Sequence, residues 1–206
     1  MNDQITYFKI AKRLPTILCN LPGLIKGSRM SKITDTTKPI GLGLAFEQTT
    51  QRHPKFLALI FRNRQFSYEK MNRWANRLAH YLSAQGLVKG DVVAINMENR
   101  PELMATTLTC AKLGLCGALI NTSQRQQILV HSFNLVKPKA CIVGDEQLGV
   151  MQDVRDELNL DKPFYYFSPG DTLCDTLSNP SPAPHNTINL AREIIDSLEH
   201  NPSSTQ

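Results

Sequence analysis

Four short, unbroken apolar runs constrain this chain more than any other feature: residues 92–95, 117–120, 140–143 and 164–167. The first is continuously apolar rather than alternating, so it reads as a strand covered on both faces, the pattern of a parallel sheet, and the other three read as strands after it. Parallel strands need long crossovers, and the intervals between these runs are long enough to hold helices. After Lys89, Gly90-Asp91 turns the chain into the first run. Pro101 and Glu102 then open a helix, because Pro there loses no needed N–H and Glu meets the positive helix end. Its interior, residues 103–113, carries one charge, Lys112, which predicts burial almost all round. Gly114 ends it. Asn121-Thr122-Ser123 leads into a helix over about 124–135, Lys137-Pro138 breaks that helix, and a further helix is expected near 146–158. Strand and helix in strict alternation give an α/β fold, a doubly wound, mostly parallel sheet with right-handed crossovers.

Upstream, residues 57–61 read as a strand and Arg62-Asn63-Arg64-Gln65 as a polar turn. Ser67 is a suitable N-cap for the next helix. Met71, Trp74, Ala75, Leu78 and Leu82 recur on one stripe, which places Trp74 in the core, and Asn72, Arg73, Asn76, Arg77, His80 and Ser83 fill the opposite face. Gly86 supplies the left-handed stop.

Three zones follow: a basic, Leu/Pro-containing arm over 1–40, an α/β region over 41–168, and a Pro/Ser-rich linker or frayed end over 169–206, with one short helix expected at 187–199. The arm holds seven Lys or Arg against Asp3 and Asp35, which is the whole net charge of +5. A basic arm on a neutral body argues against nucleic acid as a partner, since a nucleic-acid-binding fold carries its positive stripe on the folded surface. Lys9, Lys12, Arg13, Leu14, Leu21, Leu24, Ile25, Lys26 and Arg29 fall close to a basic amphipathic helix. That pattern suits contact with an anionic membrane surface, and it equally suits a solvated tail that packs against further protein. No apolar run reaches 18 residues, and Pro15 and Pro22 interrupt any signal-like stretch. Five scattered cysteines, none in a C-x-x-C pair, read as reduced, which fits the cytoplasm or the cytoplasmic face of a membrane.

In such sheets ligands sit beyond the carboxyl ends of the strands. Those ends are Asn96-Met97-Glu98-Asn99-Arg100, Asn121-Thr122-Ser123 and Gly144-Asp145, although the same residue types make ordinary turns and caps. Gly41-x-Gly43 lacks the third glycine of a dinucleotide fingerprint and reads as a flexible joint. His53, His80, His131, His185 and His200 share no metal-ligand spacing, and no serine sits on a strand-to-helix elbow.

The order of short segments resembles the start of the adenylate-forming synthetases. The resemblance is carried by Phe46-Glu47 with Arg52-His53-Pro54, Phe66-Ser67-Tyr68-Glu69, residues 74–79, residues 89–94, Asn99-Arg100-Pro101-Glu102 and Ala111-Lys112-Leu113-Gly114. Residues 118–122 with Leu129-Val130-His131-Ser132 look like the fatty-acid transport protein, or very-long-chain acyl-CoA synthetase, branch, and the arm is similar to that branch's leader. The resemblance implies that a fatty acid carboxylate attacks the α-phosphate of Mg²⁺-bound ATP, and that coenzyme A then displaces AMP. It also implies that the Ser/Thr/Gly phosphate loop, the ribose-binding Asp and the catalytic Lys lie beyond residue 206. The chain then corresponds to an incomplete N-terminal subdomain with no catalytic, cofactor-binding or metal residues of its own, inactive alone, whose sheet lacks a strand after residue 167. Two alternatives stay open: another adenylate-forming enzyme, and a non-catalytic interaction or membrane-tethering module derived from the family.

Overall fold

The computed structural model describes residues 21–23, 25, 27, 41–167 and 184–202. The chain divides into two units, Met1–Pro39 and Ile40–Gln206. The second holds the sheet, and its strands follow from the apolar runs. β3 (Val92–Asn96), β4 (Cys116–Leu119), β5 (Ala140–Gly144) and β6 (Phe164–Phe167) are joined by β7 (Thr187–Asn189) in the order β4-β3-β5-β6-β7, every pairing parallel. The α/β, doubly wound reading therefore holds.

Alternate side chains of the strands enter two separate cores, as the period of two requires. On one face, Val93, Ile95, Ala140, Ile142, Tyr165 and Phe167 pack under α2 (Tyr68–Ala84) and α3 (Pro101–Leu113). On the other, Ala94, Cys141, Val143, Phe164 and Tyr166 pack under α4 (Gln126–Val136) and α5 (Asp145–Asp153). Trp74 is 3% exposed and meets Phe167 edge-on at 6.0 Å, so it is a core residue. Burial of such a ring is worth roughly 1.5–3 kcal/mol.

The helices start and stop where local chemistry predicts. Ser67 Oγ accepts the Lys70 N–H at 3.2 Å, and Gly86 takes φ 80 just past the end of α2. Pro101 opens α3 and Gly114 closes it at φ 65. The buried Thr109 hydroxyl of α3 lies 3.0 Å from Ala75 O of α2 and 2.9 Å from Ala105 O of its own helix, so its one proton is shared between the two carbonyls where the helices meet. α1 (Leu42–Arg52) lies on α3 so closely that a Cβ at Gly43 would stand 3.0 Å from the Ala111 and Lys112 backbone. Gly43 is thus a helix–helix contact and not a flexible joint.

Two other expectations are corrected. Residues 64–65 are not turn: Arg64–Ser67 is a strand, β2, antiparallel to β1 (Leu57–Phe61) around Arg62-Asn63, and Phe66 from it is 2% exposed. Residues 187–199 are not one helix. Thr187–Asn189 adds a fifth strand, and only Leu190–Glu193 (α6) is helical, with Asn189 Oδ1 accepting from Ala191 N. The edge of β6, expected to be unpaired, is therefore covered. Among the described residues no helix is long and apolar enough to cross a membrane.

Candidate functional site

From β3 the chain moves to one side to form β4, and then returns past β3 to form β5, β6 and β7 on the other. The strand order reverses between β3 and β5, and the crevice beyond their carboxyl ends is where such sheets place ligands. Three segments meet there: the loop after β3, the first turn of α3, and the first turn of α5.

One guanidinium ties them together. Arg100 Nε donates to Glu102 Oε2 at 2.8 Å, and its Nη1 donates to Asp145 Oδ1 and, at 2.8 Å, to Glu146 Oε2. Glu146 Oε1 also accepts the Glu98 N–H at 2.7 Å. Glu102 is 3% exposed, and the Arg100 side chain 15%. Burial alone would lower the Arg100 pKa, but its bonds to Glu102 and Asp145 outweigh that and hold it above the ordinary guanidinium value. Gly144 lets the two elements close: a Cβ there would fall 2.1 Å from Glu146 Oε1.

Of the residues that topology marked, Arg100, Gly144 and Asp145 converge, and the Glu98 backbone joins them. Asn96 ends β3, 2% exposed. Asn121-Thr122-Ser123 makes a local turn of its own, with Asn121 Oδ1 accepting from Ser123 N at 2.9 Å. Glu146 was not singled out by sequence. The available signal was two acids directly after a strand-ending glycine, at a helix N-terminus where negative charge is favoured.

This cluster does not fit the phosphates of ATP. Three carboxylates face one guanidinium, so the crevice carries excess negative charge and repels a polyanion. Among the described residues no three His, Cys, Asp or Glu side chains are grouped to hold a metal ion. What the arrangement can do is lock the β3 and β5 loops to each other.

The expected membrane-contact residues belong to the first unit. Leu21 and Ile25 have helical backbone and are 42% and 49% exposed. Lys9, Lys12, Arg13, Leu14, Leu24, Lys26 and Arg29 lie outside the described residues.

Residues 46–186 match the family described as AMP-binding enzyme. Over 144 residues the chain is 28% identical to the medium/long-chain-fatty-acid–CoA ligase FadD6 of Mycobacterium tuberculosis, a stretch that covers 70% of this chain and 24% of that protein. It is 32% identical over 114 residues to long-chain fatty acid transport protein 6 of Mus musculus, covering 55% of this chain and 18% of the relative. The matched part is thus a quarter or less of each relative's length. The crystal structure of coronafacic acid ligase from Pectobacterium brasiliense superposes with a TM-score of 0.66 at 20% identity, over 81% of this chain and 31% of that one, which shows the fold alone. By the match over most of its α/β body, the chain belongs to the AMP-binding enzyme family.

Proposed function

We propose that this chain is the N-terminal subdomain of a long- or very-long-chain fatty acyl-CoA synthetase. In the complete enzyme it would contribute to the formation of acyl-CoA, AMP and diphosphate from fatty acid, ATP and coenzyme A. The observation that carries the reading is the 28–32% identity to a fatty-acid–CoA ligase and to fatty acid transport proteins across the α/β body. The Arg100 cluster supports the second half of the proposal, that these 206 residues do not turn over substrate alone. The two loops at the switch point are bridged by their own ion pairs, and the sequence contains no Gly-rich loop ending in Lys to cradle three phosphates. ATP, Mg²⁺, coenzyme A and the fatty acid would then be held by other parts of the enzyme.

The test incubates the purified chain with ATP, Mg²⁺, coenzyme A and fatty acids of several chain lengths, and measures thioester and AMP. The expected result is no product above the protein-free control, and synthesis when the same residues form part of a complete family enzyme. ATP-dependent thioester formation by the 206 residues alone would overturn the reading.

We further propose a peripheral role for the arm on the cytoplasmic face of a membrane, on the sequence pattern alone: Lys9, Lys12, Arg13, Lys26 and Arg29 are interspersed with Leu14, Leu21, Leu24 and Ile25. Anionic vesicles are expected to pellet the full chain more strongly than a chain that starts at Gly41, with added salt shrinking the difference. Equal pelleting at low salt would remove the membrane role.

A further inference from the structure

The polar face of α2 is not left to solvent. Residues 199–201 lie across it, and each makes a different contact. The Glu199 carboxylate pairs with Arg77, and its carbonyl accepts from Asn76 Nδ2 at 2.6 Å. The His200 carbonyl bonds the His80 ring at 2.9 Å, and the two imidazoles lie 4.6 Å apart. Asn201 Oδ1 accepts from three donors at once: Asn72 Nδ2 at 3.0 Å, Asn76 Nδ2 at 3.0 Å and Lys112 Nζ at 3.3 Å. The Lys112 side chain is 1% exposed, and its other partner is Glu47 of α1. A buried ammonium on α3 therefore depends in part on an amide oxygen from the far end of the chain.

The rest of the segment is anchored quite differently. At its root, Leu190 and Ile194 are 0% and 5% exposed and belong to the core. Between root and tip, Ile195 and Leu198 are 36% and 58% exposed and add little apolar grip. The α2 surface beneath the tip is under-satisfied, since Asn72 Oδ1, Asn76 Oδ1 and Arg77 Nε are buried there with no protein partner. A polar contact half-satisfied in this way is held far less firmly than an apolar one, because each unpaired group gains by returning to water.

We propose that the α2–α3 surface is a docking site for an acidic Glu-His-Asn segment, filled in cis by residues 199–201, which act as a strap that opens while β7 and α6 stay on the sheet. Recognition is by position: the Arg77 guanidinium for the carboxylate, Asn76 and His80 for successive carbonyls, Lys112 with Asn72 for the terminal amide. Arg73 stands farther from Glu199, at 3.9 Å and half-exposed, so Arg77 sets the sign of the charge accepted.

Hydrogen exchange on the full chain tests this. Glu199→Arg is expected to speed exchange of the Ile195 and Ser197 amides, which donate to Arg192 O at 3.3 Å and Ile194 O at 3.1 Å at the root of the strap, by about tenfold or more while β3 and β5 keep their protection. Arg77→Glu combined with Glu199→Arg is expected to restore slow exchange. A peptide of residues 195–202, added in trans, should bind full-length Glu199→Arg at least about ten times more tightly than wild type, whose own strap competes. Asn201→Ala, which removes one acceptor without adding charge, should speed exchange by a smaller factor. Unchanged exchange in Glu199→Arg, or equal peptide affinity for both proteins, would sink the proposal. So would loss of β5 protection in Glu199→Arg, because the segment would then be part of the core, and so would failure of the paired charge reversal to restore protection.

Discussion

The β3–β5 pair is latched at both ends by ion pairs, and the two latches are built in opposite ways. At the amino end, Asp91 Oδ2 accepts from Lys139 Nζ and from Val88 N, each at 2.7 Å, and Lys139 also reaches Gly86 O at 2.9 Å. One cation meets one anion, with the lysine side chain 41% exposed. At the carboxyl end, one guanidinium serves three carboxylates, and one of those, Glu102, is 3% exposed. The first latch is balanced, wet and replaceable. The second is charge-unbalanced, and most of its cohesion passes through a single residue. In a sheet of this kind ligands belong at the carboxyl end, so the unbalanced latch stands where function is usually placed and the balanced one where only stability is served.

The largest expected effect is therefore at Arg100. Arg100→Ala leaves three carboxylates facing one another, with Glu102 buried and unpaired. It should lower unfolding free energy by about 3 kcal/mol or more, as when one partner of a buried ion pair is removed. Arg100→Lys should recover only part of this, because an ammonium's donors all leave one nitrogen, whereas the guanidinium reaches Glu102 from Nε and Asp145 and Glu146 from Nη1. Denaturant unfolding of both variants beside Asp91→Ala checks the point. If Asp91→Ala costs as much as Arg100→Ala, the contrast between the two latches disappears.

A smaller effect is expected at Gly144, which touches the carboxyl-end latch only through Glu146. An added methyl would collide with the Glu146 carboxylate, the free end of a flexible side chain, so the backbone need not move. Gly144→Ala should instead turn Glu146 away from Glu98 N and Arg100, at a cost of about 1 kcal/mol for the lost bonds. Paired with Glu146→Ala, which removes the obstacle, the same substitution should cost almost nothing further. An unchanged penalty in that background would show that the strain lies in the backbone and not in the latch.

How far sequence alone could reach follows from what each latch is made of. β3 and β5 were legible because an unbroken apolar run predicts cover on both faces, and every residue of β5 is buried. The same run in β4 misleads in part, since this strand is the sheet edge and Leu119 is 67% exposed. Apolarity records what a strand can bury, and its place in the sheet decides what it does bury. Arg100 and Asp145 could be marked from topology because both follow strand ends. Their pairing could not, being a contact between loops 45 residues apart. The strap was less visible still. Its residues sit in a Pro/Ser-rich stretch that composition reads as linker, and their partners on α2 lie more than 100 residues earlier. β7 escaped for a related reason. Three residues are too few to show a period, and Thr187-Ile188-Asn189 becomes a strand through the edge of β6 and not through its own propensity.

The smallest effect, and the one that sharpens the comparison most, concerns acid. The hydrogen bond from Lys139, and then that from Val88 N, hold the Asp91 carboxyl below the ordinary aspartate value, even against some desolvation. Because the folded-state value lies below the unfolded one, the pair contributes stability that is fully present above the unfolded pKa of about 4 and is lost as pH falls through the folded value. Asp91→Asn keeps the side-chain oxygen that can accept from Val88 N and Lys139 but removes the charge, so it should lower Tm at pH 7 by no more than about 3 °C. It should also make Tm fall less steeply between pH 4 and the acid limit than wild type does. Salt at about 0.5 M should shrink the pH 7 difference, since an exposed pair is screened within a few ångströms. The Arg100 penalty should survive the same salt, because its partners are sheltered from ions. A wild-type and Asp91→Asn pair with parallel acid limbs would mean that Lys139 holds the two strands through Gly86 O alone. The amino-end latch would then be a hydrogen bond from a lysine to a backbone carbonyl and not an ion pair.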